Sequence, residues 1–147
     1  MSLITDKVFF NALCSSSELM DLTDGRIENT TFPVPDHELL NVPVPYVIVT
    51  FDGLQNEGYT KDNNFEGHND KVQVSIEVAA ENRDQLAELM PKVRQVIIDY
   101  FENTTDHATD DYELVPTNYT LTAGQVAYDS QKPCFYQTLT YNCDTNP

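Results

Sequence analysis

Between Val72 and Val78, the apolar residues Val72, Val74, Ile76 and Val78 alternate with Gln73, Ser75 and Glu77. Side chains along a strand point alternately to opposite faces, so this segment has one apolar and one wet face. Such a strand belongs to a sheet that is covered on one side and solvated on the other. The next periodic segment is the natural cover. Leu86, Leu89, Met90, Val93, Ile97 and Phe101 step by three or four, which is one stripe of a helix. Asn82 stands where a cap belongs, and Asp84 and Glu88 put negative charge in the early turns, where the helix dipole favours it. Pro91 lies inside the stripe without shifting its phase. The expectation is one bent helix, preferred over two short helices meeting at Met90.

The remaining elements follow from the same reading. Phe9, Leu13 and Met20 recur at helical spacing, which predicts a helix from Leu3 to about Met20. After Gly25 comes a long irregular connection, Glu28 to Val44, in which Pro33, Pro35 and Pro43 remove backbone donors. Tyr46 to Phe51 is a β-branched and aromatic run entered through Pro45, and reads as a short strand. Asp52 to Asp70 is a polar excursion rich in Gly and Asn, long for an idle connection and expected to order only against a neighbour. Glu102 to Thr117 is acidic loop. Tyr119 to Tyr128, open to a break at Gly124, and Phe135 to Asn142 are the closing strands. The order α-β-β-α-β-β predicts an α+β fold, an antiparallel or mixed sheet with two helices on one face. A length of 147 residues fits a single domain, 1–147.

Charge excludes whole classes of partner. Eight basic against 24 acidic residues leave a formal net charge of −16. Gripping nucleic acid needs clustered Lys or Arg, and so does docking on anionic lipid. No run is long and apolar enough to span a bilayer, and the amino terminus lacks the basic and apolar regions of a secretory signal. A cytoplasmic chain is expected, in which the sequons at Asn29, Asn103 and Asn118 are turn-forming Asn/Thr pairs. The three cysteines build no disulfide framework. Cys134 and Cys143, nine residues apart on one strand, would stand about 30 Å apart on opposite faces. Cys14 reads as a small apolar residue in a helix.

No motif here carries chemistry. Asp62, Asn64, Glu66 and Asp70 occupy positions 1, 3, 5 and 9 of a calcium-loop template, with Gly67 at its sharp turn. Position 12, however, is Gln73 in place of a bidentate glutamate, and the flanks are not paired helices. A solvated hairpin excursion accounts for the same residues. His37, His68 and His107 have acidic neighbours but no second histidine at ligand spacing. The five glycines fit neither phosphate-cradling pattern, and no nucleophile elbow, HExxH or CxxC is present. The sequence nominates no catalytic residue, cofactor or resident metal.

The order of pieces carries more than any one motif. A helix leads to the turn Gly25-Arg26-Ile27, then to a proline-bearing loop ending in Pro43-Val44-Pro45-Tyr46-Val47-Ile48-Val49. The alternating strand, the helix from Leu86 to Phe101 and two late strands follow. Over roughly Leu3 to Phe101 this resembles the small tail-completion or tail-terminator proteins of long-tailed bacteriophages and prophages. The resemblance implies no catalysis and no cofactor. It implies a homo-oligomeric ring, usually of six subunits, that caps the tail tube and receives the head connector. Its partners would then be other copies, tail-tube proteins and head-connector proteins, met in the host cytoplasm and retained in the virion tail or neck. Tyr59, Lys61, Asp62 and Phe65, in the polar excursion, are the candidate subunit or tail contacts on this reading. Two other classes compete: an acidic regulatory module, monomeric or dimeric, that binds a basic protein, and a small hydrolase whose carboxylates and histidines the fold gathers.

Overall fold

In the computed structural model, which describes residues 6–30, 44–57, 69–103, 116–130 and 133–145, the alternating segment is the middle strand of a mixed, six-stranded sheet. The chain runs α1 (Asp6–Cys14), α2 (Ser17–Leu22), β1 (Ile27–Thr30), β2 (Tyr46–Glu57), β3 (Asn69–Ala80), α3 (Arg83–Asn103), β4 (Pro116–Ala123), β5 (Ala127–Asp129) and β6 (Cys134–Thr145). The spatial order is β1-β2-β3-β6-β4, with β5 also on β6. Pairing is antiparallel throughout except for β1, which lies parallel to β2. The α+β architecture with helices on one face is the one expected.

Burial follows the alternation. Val72, Val74, Ile76 and Val78 are buried, whereas Gln73 is exposed and Ser75 and Glu77 are half-buried. Against that apolar face pack Leu86, Leu89, Val93 and Ile97 of α3, and Phe9 and Leu13 of α1. Each such side chain taken from water contributes roughly 1.5–3 kcal/mol, so this layer dominates the fold's stability. Helix α3 passes Pro91 as one element, and Pro91 itself is exposed, where its missing donor disturbs least. Its start is held twice: Asn82 Oδ1 accepts from the Gln85 N–H at 2.8 Å, and Gln85 Oε1 accepts from the Glu81 N–H at 2.8 Å.

The structure departs from expectation at three places and settles one alternative left open. The amino-terminal helix is two, because the Ser15 hydroxyl donates to the Ala12 carbonyl (2.6 Å) while Ser16 caps α2 by accepting from the Leu19 N–H (3.3 Å). Serines compete with helix backbone and favour caps. Strand β1 falls where an irregular connection was expected. Strand β2 continues beyond Phe51, because Asp52 is a bulge: Phe51 faces Val74 and Gly53 faces Gln73. One extra residue breaks the alternation and so hides the rest of the strand from a period-two reading. Finally, Gly124 does end a strand. β4 stops at Ala123 and β5 resumes at Ala127, and Gly124 bridges to β6 through its N–H (Thr138 O, 2.9 Å) and its carbonyl (Gln137 Nε2, 2.7 Å).

Cys134 and Cys143 both lie on β6, are buried and are not in a disulfide. Cys143 joins the main core, and Cys134 joins a smaller cluster with Tyr46, Ile48 and Ala79 on the opposite face. Cys14 is half-buried against the core, and burial, with a smaller push from Glu28, raises its thiol pKa.

At the centre of the core, the Tyr141 ring lies 5.2 Å from Phe9 and 5.4 Å from Tyr119, both tilted. Its hydroxyl is buried and finds no hydrogen-bond partner among the described residues. An unsatisfied buried hydroxyl costs about 1–3 kcal/mol. Tyr141→Phe keeps the ring contacts and should stabilise the fold by about 1 kcal/mol in urea denaturation, whereas Tyr141→Ala should cost about 3–5 kcal/mol. A clear loss in the phenylalanine variant would show that the hydroxyl is satisfied.

Candidate interaction surface

Among the described residues no group of three or more His, Cys, Asp or Glu gathers into a metal-holding cluster. The three histidines, His37, His68 and His107, lie outside the described residues, as do Tyr59, Lys61, Asp62 and Phe65. Pairing of β2 with β3 extends to Glu57 opposite Asn69, so the two ends of the segment that holds those four stand side by side. The calcium-loop template meets a different fate at its end. Asn69 to Gln73 are strand, with Asp70 opposite Asn56 and Gln73 opposite Gly53, where the template requires entry into a helix.

The two motifs that carry the family likeness meet in space. Helix α2 ends with Asp24 and Gly25 in the left-handed region (φ 53° and 76°) and with the Gly25 N–H donating to the Met20 carbonyl at 2.8 Å. Thr23, buried, donates its hydroxyl to the Leu19 carbonyl at 2.8 Å. That turn aims Arg26 at the strand entry. Arg26 Nε donates to the Pro45 carbonyl at 2.9 Å and an Nη to the Val44 carbonyl at 3.2 Å, with Asp24 3.4 Å from the other Nη. The Val47 N–H returns a bond to the Arg26 carbonyl at 3.0 Å. The planar fork suits two neighbouring carbonyls as a lysine point charge does not.

The solvent face of the sheet is unequal along its length. At one end Tyr46, Ile48, Ala79 and Cys134 form a buried cluster edged by Val44 and Tyr136. The Tyr46 hydroxyl donates to Glu77 Oε2 at 3.4 Å, and burial first, then the Glu77 charge, raises its pKa. Further along, Asp52 on the bulge accepts from Ser75 Oγ and, at 3.3 Å, from Gln73 Nε2.

Charge is unequal too. Exposed acids stand on the helices and the β1–β2 side, Glu18, Asp21, Glu28, Glu81, Asp84, Glu88 and Asp99, with Arg83 and Arg94 exposed among them on α3. The salt bridge from Lys92 to Glu18 (2.6 Å) ties α3 to α2 within that surface, and the Glu18 hydrogen bond raises the Lys92 pKa. By contrast, from Val115 to Cys143 the chain carries only Asp129 and Lys132. The large apolar residues that stand exposed among those described, Val126 (39%) and Tyr128 (56%), both lie there. The sequence analysis places two strands here, and the signal of a surface is the long uncharged stretch in a very acidic chain.

Two outcomes follow from these contacts. Arg26→Ala leaves two half-buried carbonyls without their donor and should cost about 1–3 kcal/mol by chemical denaturation, with Arg26→Lys recovering part of it. A loss within about 0.5 kcal/mol would show the fork to be ornamental. For pH, an unfolded tyrosine ionises near 10, and Tyr46 and Tyr141 both ionise above that value in the folded chain. Their contribution is therefore complete below about pH 10 and is lost as pH rises beyond it. Thermal midpoints should fall above pH 10, and the double variant Tyr46→Phe/Tyr141→Phe should flatten that fall.

No family model and no curated protein matches the chain. Among solved structures, a chain from the virion of a native gene transfer agent particle matches at 8% identity and a TM-score of 0.61, covering 99% of this chain and 100% of that one. The two chains share one fold from end to end.

Proposed function

We propose that the protein is a non-enzymatic structural component of a phage or prophage tail, one that caps the tail tube and joins it to the head by assembling into a ring, usually of six copies. The observation that carries this reading is the end-to-end fold match with a chain of a gene transfer agent virion, a phage-like particle. The match covers both chains almost wholly, so it is not the accident of one shared supersecondary unit. The meeting of the Gly25-Arg26-Ile27 turn with the Val44-Pro45 strand entry supports it further. A net charge of −16 is compatible with a wall around a DNA passage, since phosphate meets like charge and does not stick. Assembly would take place in the host cytoplasm, and the finished ring would stay in the virion tail or neck.

Charge sets the sign of the assembly's salt response. Exposed like charges repel over a Debye length, about 10 Å at 0.1 M salt. A ring held by apolar and aromatic contact should therefore tighten as salt rises, whereas one held by ion pairs should loosen. Sedimentation across salt and concentration, with purified tail tubes added, reads this directly. The expected result is a ring-sized species that gains mass at high salt or on tail tubes. A chain that stays monomeric at high salt and ignores tail tubes would overturn the proposal and leave the acidic protein-binding module as the better account.

A further inference from the structure

We infer that the edge formed by β4 and β5 is the surface through which one copy of this chain takes up a second copy. This rests on the ring reading and adds the place of contact. β4 and β5 lie end to end on the outer side of β6, β4 opposite 139–145 and β5 opposite 134–136, and no described strand lies beyond them. An edge strand presents unpaired N–H and C=O groups, a template for another strand. Natural edges are blunted by charge, especially Lys, by proline, by bulges or by a covering element. Here Pro116 and the register shift before Asn118 blunt one end and Asp129 marks the other, with the stretch between left bare of such devices. From Thr117 to Tyr128 no charged residue occurs. Among the described residues no element covers the edge, and Thr120, Thr122, Gln125, Val126 and Tyr128 are all exposed.

The occupant follows from charge. Two copies bring −16 each, and their helices and β1–β2 sides cannot approach without setting acid against acid. The β4–β5 edge combines an uncharged run with the exposed large apolar residues found among those described, Val126 and Tyr128, which give an approaching copy apolar anchors. The Tyr128 ring already packs, tilted, 5.0 Å from Phe135, so it is held in place for contact at little further cost in rotamer freedom. The surface the edge meets sets closure. Edge on a different surface is heterologous and builds a ring, and edge on its own equivalent across a twofold stops at a dimer.

The test places a negative charge on the edge. Thr122→Glu and Tyr128→Glu alter exposed side chains, and Ala87→Glu adds the same charge on the exposed side of α3 as the control. Sedimentation equilibrium at high salt should show the association midpoint of each edge variant raised at least tenfold, with the control within twofold of the parent. Amide exchange provides a second readout: β4 N–H groups should exchange more slowly in the assembled parent than in the monomer. A parent that forms the ring while edge variants assemble equally well and β4 amides stay fast overturns the edge assignment and leaves the ring standing. A parent dimer abolished by the same variants supports the edge and overturns the ring. A parent monomeric at every salt and concentration, with tail tubes added as well, overturns both.

Discussion

Strand β3 is shared on both sides, by β2 and by β6, from Lys71 to Ala79, and its backbone groups there are committed to the sheet. That leaves its side chains to decide everything else. Four consecutive apolar positions on one face call for a cover, and α1 and α3 supply it through Phe9, Leu13, Leu89 and Val93. A one-residue slip would turn Val72, Val74, Ile76 and Val78 to water and Gln73, Ser75 and Glu77 to the helices. The register of the central sheet is fixed by that alternative being so costly. The peripheral strands, whose patterns are weaker, take their register from β3 and β6.

Regular periods made most of the core legible beforehand. The β3 alternation, the α3 stripe running through Pro91 and the Asn82 cap all appear where the residues placed them. What escaped were features that work by breaking a period. The bulge at Asp52 inserts one residue into β2, so the strand continues while its pattern does not. The serines at 15 and 16 stop one helix and start the next without disturbing the apolar spacing around them. Strand β1 is four residues of mixed character, and what makes it a strand is long-range: the Arg26 fork on Val44 and Pro45 and the Val47 N–H on the Arg26 carbonyl. Local propensity carries no trace of a bond spanning eighteen or nineteen residues.

The candidate contacts were less legible than the core, for a different reason. Tyr59, Lys61, Asp62 and Phe65 were chosen from a polar, aromatic-dotted excursion, the kind of segment that sequence alone marks as exposed and nothing more. The β4–β5 edge is marked by a subtraction. Its residues are ordinary strand formers, and only against 24 acids elsewhere does an uncharged run from Thr117 to Tyr128 mean anything. Motif reading looks for residues that are present. An interface in a highly charged chain is written largely in charges that are missing.

Segregated charge also reconciles acidity with assembly. Spread evenly, a net charge of −16 would oppose every approach of one copy to another and keep the chain monomeric. Among the described residues most acids stand on α2, α3 and the β1, β2 and β3 strands, and the run from Thr117 to Tyr128 carries none. Repulsion then restricts orientation, because a copy approaching with its acidic side forward is turned away while one approaching the neutral edge is not. In the proposed ring such copies would hold the described acids away from the contact and present them to solvent, to a lumen or to partners at its rims. The sheet separates the two roles physically: its strongly patterned middle ties the layers together, β1 and β2 stand with the acidic helices, and β4 with the start of β5 carries no charge and shows alternate side chains to solvent.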